Sequence, residues 1–307
     1  MTDGQREATM PAAALRDAVK TFGTVRALQG VSLTVGQGET VALLGPNGAG
    51  KTTAIALMLG LRRPTAGSAK LFGRDPRDRA SRLRTGVMLQ ESGVPDTLKV
   101  GEVVELFRRL YPQPLTVEAA LAAAGLERKA TALVTGLSGG QKQRLYFALA
   151  IVGDPDLLFL DEPTVGLDVE ARQVFWSYID GLVGRGTTIV LTTHYLEEAD
   201  ALANRIVVID RGRVIAEGTP AAIKARVGGK TVRFRSSDLD EGRLALLTEV
   251  RDARRSGDKL EFYTLQPEAA LSRLFAAGID LRELEVVGAG LDEAFLAITR
   301  EQEGVAA

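Results

Sequence analysis

The sequence of 307 residues contains no cysteine and only one histidine, His194. The first absence excludes disulfides, thiolate metal sites and thiol nucleophiles, and fits a reducing compartment. The second excludes any multi-histidine metal centre. Neither charge sign prevails: 38 Lys and Arg against 39 Asp and Glu leave a formal charge of −1. No global field therefore draws the chain to nucleic acid or to an acidic membrane, and no nucleic-acid partner is expected. Long apolar runs are missing too. The longest uncharged stretches, such as Leu145 to Gly153, fall well short of the roughly 18 to 20 apolar residues that a membrane-spanning helix needs. Residues 1–11 carry Asp3, Arg6 and Glu7 with no apolar block behind them. They read as an N-terminal tail rather than a secretory signal, which makes the cytoplasm the default compartment. Aromatics are sparse at 5%, but the mix of 45% hydrophobic and 25% charged residues is that of a globular chain. Its length suits two domains, or one large domain with an appendix.

Four short apolar runs have the pattern of strands buried on both faces: Thr40 to Gly45, Asp156 to Asp161, Thr187 to Thr192 and Ile206 to Asp210. Helical stretches alternate with them at Lys51 to Leu59, Asp168 to Val183 and Tyr195 to Ala203. This alternation predicts an α/β domain around a mostly parallel sheet. Arg211-Gly212-Arg213 then turns into an antiparallel edge at Val214 to Glu217. Thr219-Pro220 opens another helix, with Thr as N-cap and Pro at the first helical position. Gly228-Gly229 is the expected linker. Beyond it, strand-like alternation at Thr231 to Arg235 and Lys259 to Leu265 and helices at Pro267 to Ala277 and Leu291 to Arg300 predict a small α+β domain over 229–307. The run Arg74 to Arg84 mixes both signs and reads as a solvated face rather than a nucleic-acid stripe.

Between the first predicted strand and its helix lies Gly45-Pro46-Asn47-Gly48-Ala49-Gly50-Lys51-Thr52-Thr53, a phosphate-binding loop pattern. Glycines such as Gly45, Gly48 and Gly50 let successive backbone N–H groups turn inward around a β-phosphate. Lys51 reaches the β and γ oxygens, and the Thr52 hydroxyl takes a position on Mg²⁺. Asp161-Glu162 ends an apolar strand, so two carboxylates stand at the carboxyl edge of the sheet, where open α/β folds bind ligands. Hydrolysis of MgATP needs one carboxylate in the metal shell and another to polarise water, roles that fall to Asp161 and Glu162 respectively. Leu137-Ser138-Gly139-Gly140-Gln141 opens a third feature, a helix whose N-terminus is capped by Ser138 and approached by glycines, which is a second anion site.

LSGGQ at 137–141, LLFLDEP at 157–163 and the GPNGAGKTT loop upstream together resemble the nucleotide-binding subunit of ATP-binding cassette (ABC) transporters. The resemblance covers about residues 12–225. It implies a P-loop cassette with a mostly parallel core, an antiparallel β edge and a helical subdomain at about 91–136, so the cassette would run over 12–228. In that family ATP is sandwiched between the phosphate loop of one cassette and the signature of another, which implies a head-to-tail homodimer with two ATP sites. Residue by residue, the resemblance assigns Gln90 to the Q-loop and the Mg²⁺ shell, and Asp168 to the D-loop across the dimer. His194 becomes the switch histidine that holds the γ-phosphate and orients water. Phe22 takes the place of the usual tyrosine on adenine, keeping the stacking face without the hydroxyl.

Segment 91–136, with helices expected at Glu102 to Leu110 and Val117 to Ala124, resembles the subdomain whose groove receives a coupling helix from the permease. The C-terminal region, ending in LDEAFLAITR, is similar to the accessory domain of ATPase subunits in exporters of drugs, lipids and polysaccharides, including the daunorubicin-resistance type. The expected function is therefore that of the ATPase subunit of an exporter, bound peripherally to the membrane through a separately encoded permease. Two other classes stand beside it. Soluble ABC ATPases of translation or DNA maintenance usually carry two cassettes or long coiled coils, and small-molecule kinases need no LSGGQ.

Overall fold

The computed structural model describes residues 10–89, 93–95, 97–226, 229–237, 239–288 and 290–305. Gln90, Gly228 and the tail residues 1–9 thus lie outside the described residues. Residues 1–219 form one compact unit and residues 220–307 another.

The first unit opens with β1 (Ala13–Phe22), β2 (Val25–Val35), β3 (Thr40–Leu44), α1 (Lys51–Met58) and β4 (Ala66–Leu71). It continues through α2 (Arg79–Arg82), β5 (Thr85–Met88), α3 (Val100–Arg108), α4 (Val117–Ala123) and α5 (Gly139–Ile151). Then follow β6 (Leu157–Asp161), α6 (Val169–Val183), β7 (Thr188–Thr192), α7 (Leu196–Leu202), β8 (Arg205–Asp210) and β9 (Arg213–Gly218). Six strands make one sheet in the order β5-β6-β7-β3-β8-β9. All its pairs are parallel except β8 with β9, the antiparallel edge that the Arg211-Gly212-Arg213 turn predicts. Every residue of β3, β6 and β7 is buried, which is why these strands read as unbroken apolar runs. Their register sets the site, because Thr192 of β7 lies level with Asp161 of β6 on one side and Leu43 of β3 on the other.

A second, antiparallel sheet, β2-β1-β4, is not visible as alternation in the sequence. The reason is local: β1 shifts register between Leu15 and Ala18, where Asp17 adopts φ 46°, and each bulge breaks the period of two. One apolar core nevertheless joins Leu15 and Leu33 of this sheet to Ile55 of α1 and to Leu43 and Phe159 of the central sheet. Arg205 adds a polar clamp. Its guanidinium donates to Glu39 Oε1 (2.6 Å) and Oε2 (2.8 Å), to the Thr34 carbonyl (2.6 Å) and to Glu217. In the helical segment, α3 starts two residues before the expected Glu102. The Lys99 N–H donates to Glu102 Oε2 (2.9 Å) and fixes the first turn there.

The second unit contains α8 (Pro220–Ala225), β10 (Lys230–Arg235), α9 (Glu241–Ala245), β11 (Arg251–Ser256) and β12 (Lys259–Thr264). It closes with α10 (Pro267–Ala276), β13 (Arg282–Gly288) and α11 (Leu291–Val305). The division falls at Thr219–Pro220 rather than at Gly228-Gly229. Helix α8 buries Ile223 and packs on α11, so it belongs with the second unit. The antiparallel sheet runs β11-β12-β10-β13, and its Val232, Phe234, Leu260 and Phe262 share a core with Leu244 of α9 and Leu274 of α10. Edge strands β11 (RDARRS) and β13 (RELEVVG) are too charged to announce themselves as strands.

Candidate functional site

The phosphate loop leaves the buried end of β3 at Gly45 and enters α1 at Lys51. Two of its glycines are required by geometry. A Cβ on Gly45, at φ 156°, would stand 2.0 Å from the Ile209 carbonyl oxygen, and one on Gly50, at φ 111°, 2.7 Å from that of Ala27. The loop therefore lies against backbone on both sides, with no room for side chains. Lys51 is only 6% exposed. Its ammonium donates to the Gly45 (2.7 Å) and Pro46 (3.2 Å) carbonyls, which keeps it inside the loop's curl. Burial pushes its pKa below the ordinary lysine value, and the nearby charges of Glu162 and Asp161 pull it part of the way back.

The carboxylates enter from β6. Asp161 is 3% exposed, and its Oδ1 accepts a 2.5 Å hydrogen bond from Thr192 Oγ1. Glu162 turns sharply into the left-handed region (φ 53°), a costly conformation for a side-chain-bearing residue. Its N–H is held there by the Thr192 carbonyl and Thr192 Oγ1, both at 3.1 Å. The turn carries the Glu162 side chain to His194, whose Nε2 lies 2.5 Å from Glu162 Oε1. Asn47, Gly48, Lys51, Thr52, Thr53, Glu162 and His194 line one cleft of about 400 Å³. It presents backbone amides, an ammonium, a hydroxyl, an imidazole and a carboxylate to a common space, a set that can hold a polyphosphate and a water molecule. Thr192, which sequence reasoning passed over, joins the Asp161 carboxylate to the Glu162 backbone. Its only signal is its place at the end of an apolar strand, one residue after Leu191.

The remaining sequence candidates lie apart from the cleft. Ser138 caps α5, accepting the Gln141 N–H (3.3 Å) while its own N–H donates to Gln141 Oε1 (3.1 Å), with Gly139 and Gly140 in the first turn. None of these four residues lines the cleft. Asp168 caps α6 by accepting the Ala171 N–H (2.8 Å). Phe22 stands 43% exposed at the β1–β2 hairpin, with the Lys20 ammonium 5.1 Å from its ring centre.

A phosphate loop with paired strand-end carboxylates, beside a separate serine-capped glycine helix, defines an ATPase of the ATP-binding cassette class. A family profile described as ABC transporter matches residues 28–165. A protein named Nod factor export ATP-binding protein I from Burkholderia orbicola (strain AU 1054) is 41% identical over 267 residues, covering 84% of this chain and 88% of that protein. Its namesakes in Burkholderia lata and Rhizobium sp. (strain N33) are 40% and 38% identical, covering 94% and 92% of this chain and 98% and 96% of their own. These relatives span both units. Among solved structures, one described as the ATP-binding subunit of an ABC transporter matches with TM-score 0.65 and 28% identity, over 71% of this chain and 93% of its own. A dimeric ATP-binding cassette in a post-hydrolysis state with ADP and phosphate matches at TM-score 0.62 and 28% identity, over 67% of this chain and 98% of its own. The chain belongs to the ABC transporter family, as the ATP-binding and ATP-hydrolysing subunit of an exporter.

Proposed function

We propose that two copies of the chain close head to tail around two ATP molecules and drive a separately encoded permease at the cytoplasmic face of a membrane. The observation that carries this reading is the division of the site. The cleft with Lys51, Glu162 and His194 and the helix capped by Ser138 are both present in one chain, yet Ser138 to Gln141 do not line the cleft. A second copy supplies the missing half, and Asp168 at the start of α6 carries the signal across the dimer.

In the closed state Lys51 and the amides of the loop bind the β- and γ-phosphates, with Phe22 under the adenine. Glu162 polarises the attacking water, and His194 holds the γ-phosphate and orients that water. The partner's Ser138, Gly139 and Gly140 complete the charge stabilisation from the other side. Mg²⁺ would be held by Asp161 and Thr52, with Gln90 at its shell, and supplies charge neutralisation on the phosphate oxygens when bound. The donor set fits that ion. It is made of oxygens, the buried Asp161 carboxylate at the end of β6 and the Thr52 hydroxyl at the cleft. Mg²⁺ suits a site with one carboxylate, where phosphates and water supply the other ligands.

No helix among the described residues is long and apolar enough to cross a membrane. The segment that resembles the permease-binding subdomain instead exposes Leu106, Leu110 and Leu133, apolar side chains suited to a coupling helix. The relatives' names support an exported substrate comparable to theirs, and residues 220–307 serve as an accessory domain.

The test uses Glu162→Gln. The variant should dimerise on adding ATP, hydrolyse almost none of it, and bring down a polytopic membrane protein in stoichiometric amount from gently solubilised host membranes. Full turnover would remove Glu162 from its role. Ribosomes or DNA in place of a permease would move the protein to the soluble ABC ATPases.

A further inference from the structure

We propose that Glu198 is the positioning residue of the switch loop, a buried side chain that sets where His194 stands over the cleft. The inference rests on the reading of His194 given above and extends it to a residue outside the cleft.

Glu198, on α7, is completely shielded from solvent. Its Oε1 accepts a hydrogen bond from Trp176 Nε1 (3.1 Å), and the Thr193 and Thr164 hydroxyls stand beside the same carboxyl. These three partners come from three places that matter to the reaction. Thr193 immediately precedes His194, Thr164 lies two residues beyond Glu162, and Trp176 belongs to α6, the helix that Asp168 caps. An apolar side chain would fill this space at lower cost in free energy. It could not accept the indole N–H.

His194 has little packing of its own, since its side chain is 42% exposed. Apart from its contact with Glu162, its pose is set by its neighbours in sequence, and both are held. The Thr193 hydroxyl accepts the Tyr195 N–H (2.9 Å), and the Arg172 guanidinium lies over the Tyr195 ring at 3.8 Å. Arg172 is also the nearby cation that attracts Glu198. Thr193 and Arg172 thus both lie beside the one carboxyl, each also holds Tyr195, and the histidine between Thr193 and Tyr195 inherits their position.

The site also says which form of the side chain fits. Glu198 Oε2 and Thr164 Oγ1 are both buried without a well-formed hydrogen bond. A charged oxygen left unpaired at the Oε2 position is costly, and a neutral side chain avoids that cost. Burial pushes the Glu198 carboxyl above the usual carboxylate range, in the direction that places a proton there. Glutamine, which accepts with one end and donates with the other, is therefore the conservative replacement, and alanine is the disruptive one.

The test is a double-mutant cycle on ATP turnover by the full chain, with E198A, H194A, the E198A/H194A double variant and E198Q. Misplacing a catalytic group by a fraction of an ångström costs turnover rather than substrate affinity. E198A should lower kcat about tenfold with KM for ATP unchanged within about twofold. In the H194A background the same change should have almost no further effect, because the residue acts through the histidine. E198Q should keep turnover within about threefold of the native chain. Additive losses in the double variant, a change confined to KM, or E198Q as slow as E198A would each overturn the proposal. Should E198A fail to fold by its melting curve, W176F removes the indole donor and carries the same cycle. An H194A protein as active as the native chain would instead overturn the role given to His194, a result separate from any failure of Glu198.

Discussion

The Thr192 hydroxyl donates a 2.5 Å hydrogen bond to Asp161 and so binds the end of β7 to the end of β6. The same oxygen accepts the Glu162 N–H, so one side chain holds the Asp161 carboxylate and the Glu162 backbone. Thr192→Val keeps the shape and removes these bonds. By analogy with other outer-shell partners, turnover should fall roughly 10- to 100-fold and the Mg²⁺ concentration for half-maximal activity should rise. A Mg²⁺ titration of ATPase activity checks this, and an unchanged curve would separate Thr192 from the site.

Gly45→Ala tests the phosphate loop more severely. The new methyl would collide with the Ile209 carbonyl, a backbone atom that cannot rotate away. Binding of a fluorescent ATP analogue should be lost, and stability should drop by about 2 kcal/mol or more. Retained binding would mean that β8 yields at this point.

Arg205 joins β8 to Thr34, Glu39 and Glu217. Burial alone would raise the Glu39 carboxyl. The Arg205 hydrogen bonds and the Gly36 N–H outweigh burial and leave it below its ordinary value. The side chains of Arg205 and Glu39 are 20% and 22% exposed, so solvent screens part of the attraction. Arg205→Ala should then cost about 2 kcal/mol in urea unfolding, less than a fully buried pair. Because the folded pKa of Glu39 is depressed, its contribution is present above the unfolded value near 4.5 and is lost as pH falls through the folded one. The gap between native and variant stability should narrow in acid.

Glu198 has the opposite sign. Its folded pKa is raised, so the folded state holds a proton that the unfolded chain releases, and stability falls as pH rises from about 4.5 toward the raised value. Glu198→Gln carries no such penalty. Its melting temperature should rise relative to that of the native protein as pH climbs from about 4.5, with the difference smallest below that value. A difference independent of pH would contradict the burial argument.

Much of the cassette was legible because chemistry and burial coincide there. Strands β3, β6 and β7 are apolar throughout, and the motifs sit at their carboxyl ends, so the period, the turn and the reactive residue are adjacent in sequence. The sheet β2-β1-β4 was not legible, because bulges around Asp17 erase the alternation that would mark it. Strands β11 and β13 were hidden by their charges, since edge strands need only one apolar face. The boundary moved from Gly228-Gly229 to Pro220 because glycines mark where a chain can bend, whereas α8 follows the side chains it buries. Within the site, Thr192 and Glu198 were missed for a common reason. Each acts by supporting another residue across strands or helices, and such support leaves no spacing to read.

The separation of the Ser138 helix from the Lys51 cleft has an arithmetic consequence for mixtures. With head-to-tail closure, each ATP is handled by the loop of one copy and the signature of the other. Two chains, one lacking Lys51 and the other lacking Ser138, are each inert alone. Paired, they assemble one site in which both defects fall together and one in which neither does. Inactivity is then a property of the partnership and not of the polypeptide, and mixing two dead proteins restores a working one.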